Sequence, residues 1–288
     1  MEYFVSTENT PYNNWQIELL IESFKHHGCE KDLLVTIADE DVFFMPFAYN
    51  NIVNHERFFE NQNLGKQQGY EPLNDLYFLI WALENKNLSQ PFMYIPTDVV
   101  LKNPNYSYKF DSIYPEVVFK PNPFLTVDEI EKNMGPIWNT LQHDKEYYKE
   151  NLVPIGPILG FNNCPIILFQ SVISLIQDLS VNQIKNNNKI WESTDKVAWA
   201  IILTDLNEQI VLKEDYSLSS NMLAFDENAA FVDYEYGMPP IFHKSMFQYK
   251  PPQYMSCGNP FQILADNAPT PNSFFISELA RKILKKMT

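Results

Sequence analysis

Glycine is scarce in this chain, at 8 of 288 residues. Phosphate cradles built from closely spaced glycines are therefore disfavoured. Cysteine is scarcer still. Cys29, Cys164 and Cys257 are odd in number and far apart, which gives neither a disulfide framework nor a metal-ligand spacing. A reducing compartment is the simpler inference. Positive charge is also short, with 21 Lys and Arg against 36 Asp and Glu and a net charge of −15. Such a surface repels nucleic acid unless its charge is segregated. No apolar run reaches the length of a bilayer, and the opening "MEYFVSTENTPY" lacks a basic leader start. A cytoplasmic protein with no membrane partner is expected. No Ser/His/Asp or Cys/His constellation stands out, which weakens hydrolase readings.

What is present is ordinary globular material. Hydrophobic residues make up 45% and charged residues 20%, enough for a sizeable core. Aromatics reach 15%, and 20 prolines predict punctuated loops. "EYFVSTE" (2–8) reads as a strand. "NNWQIELLIESFKHHG" (13–28) reads as a helix, with Ile17, Leu20, Ile21 and Phe24 on one face, Asn13 or Asn14 as cap and Gly28 as stop. "DLLVTIAD" (32–39) reads as a second, buried strand. Strand, helix, strand in under forty residues predicts a parallel α/β sheet.

The unit recurs. "PLNDLYFLIWALEN" (72–85) is helical by spacing, and "PFMYI" follows it as a strand. Asp98 in "PFMYIPTDVVLKNP" then falls just past a strand's carboxyl end, the edge where open parallel sheets bind ligands. Further on, a helix is expected over 126–150, a strand at "NCPIILFQ" (163–170) entering a helix, and a helix over 193–207 capped by Ser193 or Thr194. The stretch 214–273 is expected to be irregular, and "FFISELARKILKKMT" to form an amphipathic helix docked on the body. The expected division is a main domain over 1–245 and a C-terminal segment over 246–288 packed on it.

Five places could carry chemistry. Asp98, with Thr97 beside it, could hold Mg²⁺ or Mn²⁺, or could cap a turn. The segment "STENTPYNNWQ" (6–16) joins the first strand to the first helix, where nucleotides often sit. Thr7, Glu8, Thr10 and Tyr12 offer hydroxyls, a carboxylate and a stacking face there, and an ordinary Asn/Pro turn is the alternative. In "VDYEYGMPP" (232–240), Asp233 and Glu235 share a side if extended, as a cation site or as an exposed edge. Asp195 at a helix start could be a general base or a residue favoured there by the helix dipole. His243 could ligate metal or contact phosphate, or be a satisfied side chain, and Lys244 could neutralise phosphate charge.

The order of these pieces resembles the plant and algal hydroxyproline O-arabinosyltransferases and the related peptidyl-serine galactosyltransferases. A Thr-x-x-x-Pro-Tyr-x-x-Trp-Gln segment stands here as Thr7, Pro11, Tyr12, Trp15 and Gln16. Asn74 and Trp81 match a following helix landmark. "YIPTDVVLKNP" matches a modified acidic metal motif through Pro96 and Asp98. "VPIGPILGFNNCPIIL" is similar to an Ile-Gly…Ser-Pro segment, "DKVAWAII" to a helix in which Asp195 replaces Glu, and "DYEYG" to a His-Tyr-x-Tyr-Gly motif in which Asp233 replaces His. The likeness spans roughly residues 3–240.

The resemblance implies a GT-A-like glycosyltransferase, with a Rossmann-type sheet flanked by helices and an irregular C-terminal extension. It implies a UDP-sugar donor and Mn²⁺ or Mg²⁺ held by Asp98, with Asp233 in the place of a further ligand. Taken with the reading of the residues, the expected metal set is Asp98, Asp233 and His243, and the expected donor contacts are Thr7, Glu8, Thr10, Tyr12, Gln16, Asn74, Thr97 and Lys244. Asp195 would be the catalytic base. Transfer of a pentose such as arabinose, or a hexose such as galactose or glucose, to a hydroxyl on a protein side chain is the expectation. A hydroxymethylated base in phage DNA is the alternative acceptor, and a non-catalytic nucleotide-sugar-binding protein the alternative of another class.

Overall fold

The computed structural model describes residues 1–8, 11–38, 52–55, 71–106, 108–186, 190–191, 193–221, 228–233, 260–266 and 270–287. Strand β1 (Glu2–Glu8) matches its expected span, and Tyr3 to Thr7 are buried on both sheet faces, as a central parallel strand requires. Helix α1 (Pro11–His27) begins earlier than expected. Pro11 takes the first helical position, where a missing N–H costs nothing, so Asn13 and Asn14 lie inside the helix and do not cap it. Gly28, at φ 70°, terminates the helix in the left-handed region.

Strands β2 (Leu33–Ala38) and β3 (Ile52–His55), helix α2 (Glu71–Glu84) and strands β4 (Phe92–Tyr94) and β5 (Val99–Leu101) follow. Next come β6 (Glu116–Pro121), α3 (Val127–Met134), α4 (Lys145–Asn151), β7 (Ile155–Asn162), α5 (Ile166–Lys185) and α6 (Thr194–Asp205). The described chain ends with β8 (Val211–Glu214), β9 (Ser219–Asn221), β10 (Phe231–Asp233), α7 (Pro260–Asp266) and α8 (Pro271–Met287).

Among the described residues, the main sheet has the order β3-β2-β1-β4-β7-β6-β8. Strands β3, β2, β1 and β4 run parallel, and β7 is antiparallel to both its neighbours. A smaller sheet, β5-β10-β9, lies beside it. One face of the main sheet buries Phe4, Phe92, Phe119 and Phe161 under α2, α5 and α6. The other buries Tyr3, Val5, Val35 and Met93 under α1 and β5. A third core joins Trp15 and Leu19 of α1, Val100 and Val232 of the small sheet, and α7 and α8. The expected terminal helix is therefore seated through Ile276, Leu279 and Ile283.

Three local expectations are corrected. The helix over 126–150 is broken, because Gly135 sits at φ 79° and Pro136 follows it, leaving α3 and α4 as separate short helices. The strand expected at 163–170 lies earlier, at Ile155–Asn162. Asn163 turns at φ 54° and Pro165 stands at the start of α5, so "IILFQ" is already helix. Ser193 precedes α6 without a capping bond, while the Thr194 hydroxyl donates to Trp191 O at 2.7 Å. Strand β7 also needs its glycines: a Cβ at Gly156 would lie 2.4 Å from Lys120 O, and one at Gly160 would lie 2.5 Å from Val118.

Candidate functional site

The carboxyl edge of the parallel strands gathers most of the candidate residues. Strand β4 climbs beside β1, and its ladder ends with Ile95 N donating to Phe4 O at 2.9 Å. Pro96 has no N–H, so the chain leaves the sheet there and turns through Thr97 and Asp98 into β5. Strand β10 runs antiparallel to β5 with Asp233 opposite Val99, one residue from Asp98. Paired Cα atoms in such a ladder lie about 5 Å apart. Asp98, just before β5, and Asp233, the last residue of β10, thus stand at the same end of the small sheet, both half-buried. Val99, and Phe231 two residues before Asp233, point into the core against the main sheet. By strand alternation Asp233 shares that face.

Two hard oxygen donors at the mouth of a sheet suit Mg²⁺ or Mn²⁺. Among the described residues no group of three or more His, Cys, Asp or Glu gathers, so further ligands would come from water, a diphosphate or outside these residues. His243, Lys244, Thr10 and Glu235 lie outside the described residues.

Helix α2 brings a different kind of group to the same edge. Its first turns lie near the end of β4, where the Tyr94 hydroxyl donates to Asp75 Oδ2 at 3.5 Å. Past its other end, Ser89 N donates to Glu2 Oε2 at 2.6 Å, at the start of β1. Asn74, in the second turn, extends the buried stripe of Phe78 and Ala82. It is 1% exposed, and among the described residues neither its amide oxygen nor its amide nitrogen has a partner. The Ser6 hydroxyl, on the β1 face that α2 covers, is likewise buried and unpaired. Native interiors rarely leave such groups unsatisfied without a reason.

The remaining candidates divide. Thr7 is buried near the end of β1, Glu8 is its last residue, and Tyr12 is the second residue of α1. Gln16 is buried, and its Oε1 accepts from the Thr97 hydroxyl at 2.7 Å, so these two proposed donor contacts meet each other. Asp195 lies in the first turn of α6, next to a saturated network in which Gln183 Nε2 donates to Thr194 Oγ1 at 3.0 Å and Trp191 N donates to Gln183 Oε1 at 2.8 Å. Sequence reasoning passed over Ser6 and Ser23. Ser23 carried a signal, since it is a polar residue seven positions from Gln16 on an otherwise apolar helix face.

No protein-family model matches the chain, and no curated protein matches it either. Solved structures do. An active-site mutant of the galactosyltransferase LgtC aligns with a TM-score of 0.50 at 9% identity, covering 98% of this chain and 96% of that one. The chain has a GT-A glycosyltransferase fold. Looser likenesses are to LgtC in complex with donor and acceptor sugar analogs (TM-score 0.49, 9% identity, 98% and 96% covered) and to a glycosyltransferase involved in glycosylation of the major capsid of PBCV-1 (TM-score 0.46, 11% identity, 81% and 93% covered). No helix among the described residues is long and apolar enough to cross a membrane.

Proposed function

We propose that this protein is a metal-dependent glycosyltransferase that moves a sugar from a UDP-sugar to an acceptor hydroxyl. The observation that supports the proposal is that Asp98 and Asp233 stand at the same end of the antiparallel β5–β10 pair, with Asp233 opposite the residue after Asp98, beside a sheet with the GT-A fold. These acids would hold Mn²⁺ or Mg²⁺. The bound cation would supply charge neutralisation to the diphosphate leaving group.

The chain's own groups are read around that point. The end of β1 and the start of α1, from Thr7 to Tyr12, would seat the nucleotide. Asn74 would meet the donor sugar, because an amide both donates and accepts, as sugar hydroxyls do. In an inverting course the acceptor oxygen attacks the anomeric carbon, the bond to the diphosphate breaks with its electron pair leaving on UDP, and Asp195 takes the acceptor's proton. A hydroxylated protein side chain is the acceptor class that fits the net charge of −15 better than DNA.

The test is UDP release from a panel of UDP-sugars with and without Mn²⁺. Turnover that needs Mn²⁺ in the wild type and is lost in Asp98→Ala is the expected result. Full Mn²⁺-dependent turnover by Asp98→Ala would remove the acid from this role. Asp195→Asn should keep UDP affinity and lower transfer by about 10²–10⁴-fold. Unchanged transfer would exclude it as the base.

A further inference from the structure

Helix α1 faces the sheet with Ile17, Leu20, Ile21 and Phe24, all buried. Two polar side chains are buried in the same helix, Gln16 at 1% and Ser23 at 0% exposure. Seven residues apart, they lie on one side of the helix, two turns or about 10.5 Å along its axis. Gln16 holds the turn that leads into β5, and Ser23 holds the far end of that strand. Gln16 Oε1 accepts from Thr97 Oγ1 at 2.7 Å. Ser23 Oγ accepts from Leu101 N at 3.0 Å while donating to Leu20 O at 2.6 Å. From Thr97 to Leu101 the chain passes through the turn at 97–98 and then along β5, so the span is shorter than the about 13 Å of four fully extended steps. That is compatible with the rise of the helix, and the segment lies along α1 between two side-chain clamps.

Asp98 stands inside this span, adjacent to the Gln16 bond. The main-chain ladder with β1 has already ended at Ile95, one residue before Pro96. Past that point, the Gln16 side chain holds the turn next to Asp98. A metal ligand loses affinity when its support is loose, and groups behind ligands commonly matter by tenfold or more.

We infer that Gln16 and Ser23 are positioning residues for Asp98, and that the Gln16–Thr97 bond fixes the aim of that carboxylate toward the cation site. The inference rests on the proposed reading of Asp98 as a metal ligand. It assigns Gln16 and Thr97 a role distinct from direct contact with the nucleotide. It also links the two halves of the site mechanically, since α1 begins where the nucleotide is proposed to sit and its second turn holds the acid's turn.

Mn²⁺ binding, followed by electron paramagnetic resonance with Mn²⁺ alone and with UDP added, tests this without turnover. Thr97→Val keeps the shape and loses the hydroxyl. It should weaken Mn²⁺ by about tenfold. Gln16→Leu should do the same, and the double variant should lose no more than the worse single, because both remove one bond. Thr97→Ser, which keeps the hydroxyl, should restore binding to within about twofold of the wild type, a residue of ordinary mutational scatter. Hydrogen exchange over residues 97–101 in the metal-free protein should quicken in Thr97→Val and Gln16→Leu while the rest of the sheet stays protected. Mn²⁺ bound equally by wild type and Thr97→Val, or losses that add in the double variant, would overturn the positioning role and leave the metal reading standing. A wild type that binds no Mn²⁺, with or without UDP, would overturn both.

Discussion

Two buried polar centres stand at opposite ends of the main sheet, and they are finished differently. At the amino edge, Glu116 at the start of β6 is fully buried. Its carboxylate accepts from the Tyr108 hydroxyl at 3.1 Å and from Ser112 N at 3.2 Å, and it lies 3.1 Å from the Lys213 ammonium. Lys213 also reaches Asp111 at 2.7 Å. Burial, and then the bond to Glu116, push the Tyr108 phenol up to about 12, so it stays a donor. At the carboxyl edge, Asn74 is as deeply buried and has both amide atoms unpaired. A saturated centre explains itself as architecture. On the proposed function, an unsaturated one at the carboxyl edge of the same sheet is a cost offset by a bound ligand.

That contrast makes opposite demands on stability and affinity. Glu116→Ala leaves the Tyr108 hydroxyl and the Ser112 N–H without their acceptor. It should lower unfolding stability by about 2 kcal/mol in urea titration, while the folded fraction keeps its donor KM. Asn74→Leu, nearly the same in volume, removes two unpaired polar atoms from the interior. Its melting temperature should hold or rise, and its KM for the donor should rise by about tenfold, the worth of one lost hydrogen bond. A strongly destabilised Asn74→Leu with an unchanged KM would place Asn74 with Glu116 among structural groups and erase the distinction.

The difference between the two centres also marks how far sequence could reach. The parallel sheet was legible because β1, α1, β2, α2 and β4 carry readable patterns, and the position of Asp98 just past the end of β4 was legible because Pro96 closes that strand. The bond between Gln16 and Thr97 was not, since 81 positions separate the two residues and only the fold brings them together. The same holds for Asp233, whose place opposite Val99, the residue after Asp98, depends on an antiparallel register between segments more than 130 residues apart. The strand misplaced at 163–170 shows the opposite limit. A short apolar run reads alike as strand or helix start, and there the turn at Asn163 and Pro165 decided. The unpaired state of Asn74 has no sequence signature at all, because it is a property of what fails to lie nearby.

Glu18 offers a third way of handling a buried polar atom, and the smallest of the expected effects. It lies half-buried on α1, in the field of Lys286 on α8 and of Glu22, and its Oε1 has no partner. Glu22 takes the Lys286 ammonium at 2.5 Å. Burial pushes the Glu18 carboxyl up to about 8 from 4.5, with Lys286 opposing and Glu22 adding to the rise. The group thus meets its desolvation by keeping its proton, where Glu116 keeps partners. Between about 4.5 and about 8 the folded chain holds a proton that the unfolded chain has released. Stability from this group is therefore complete below that window, falls through it as pH rises, and is level above it. Glu18→Gln, neutral at every pH, should flatten that fall. Thermal melts of the two proteins across the window should converge toward its acid end and separate toward its alkaline end, with the variant the more stable there. Parallel profiles would show that Glu18 ionises freely in the folded state, and that an unpaired carboxyl oxygen at this helix interface is satisfied by solvent.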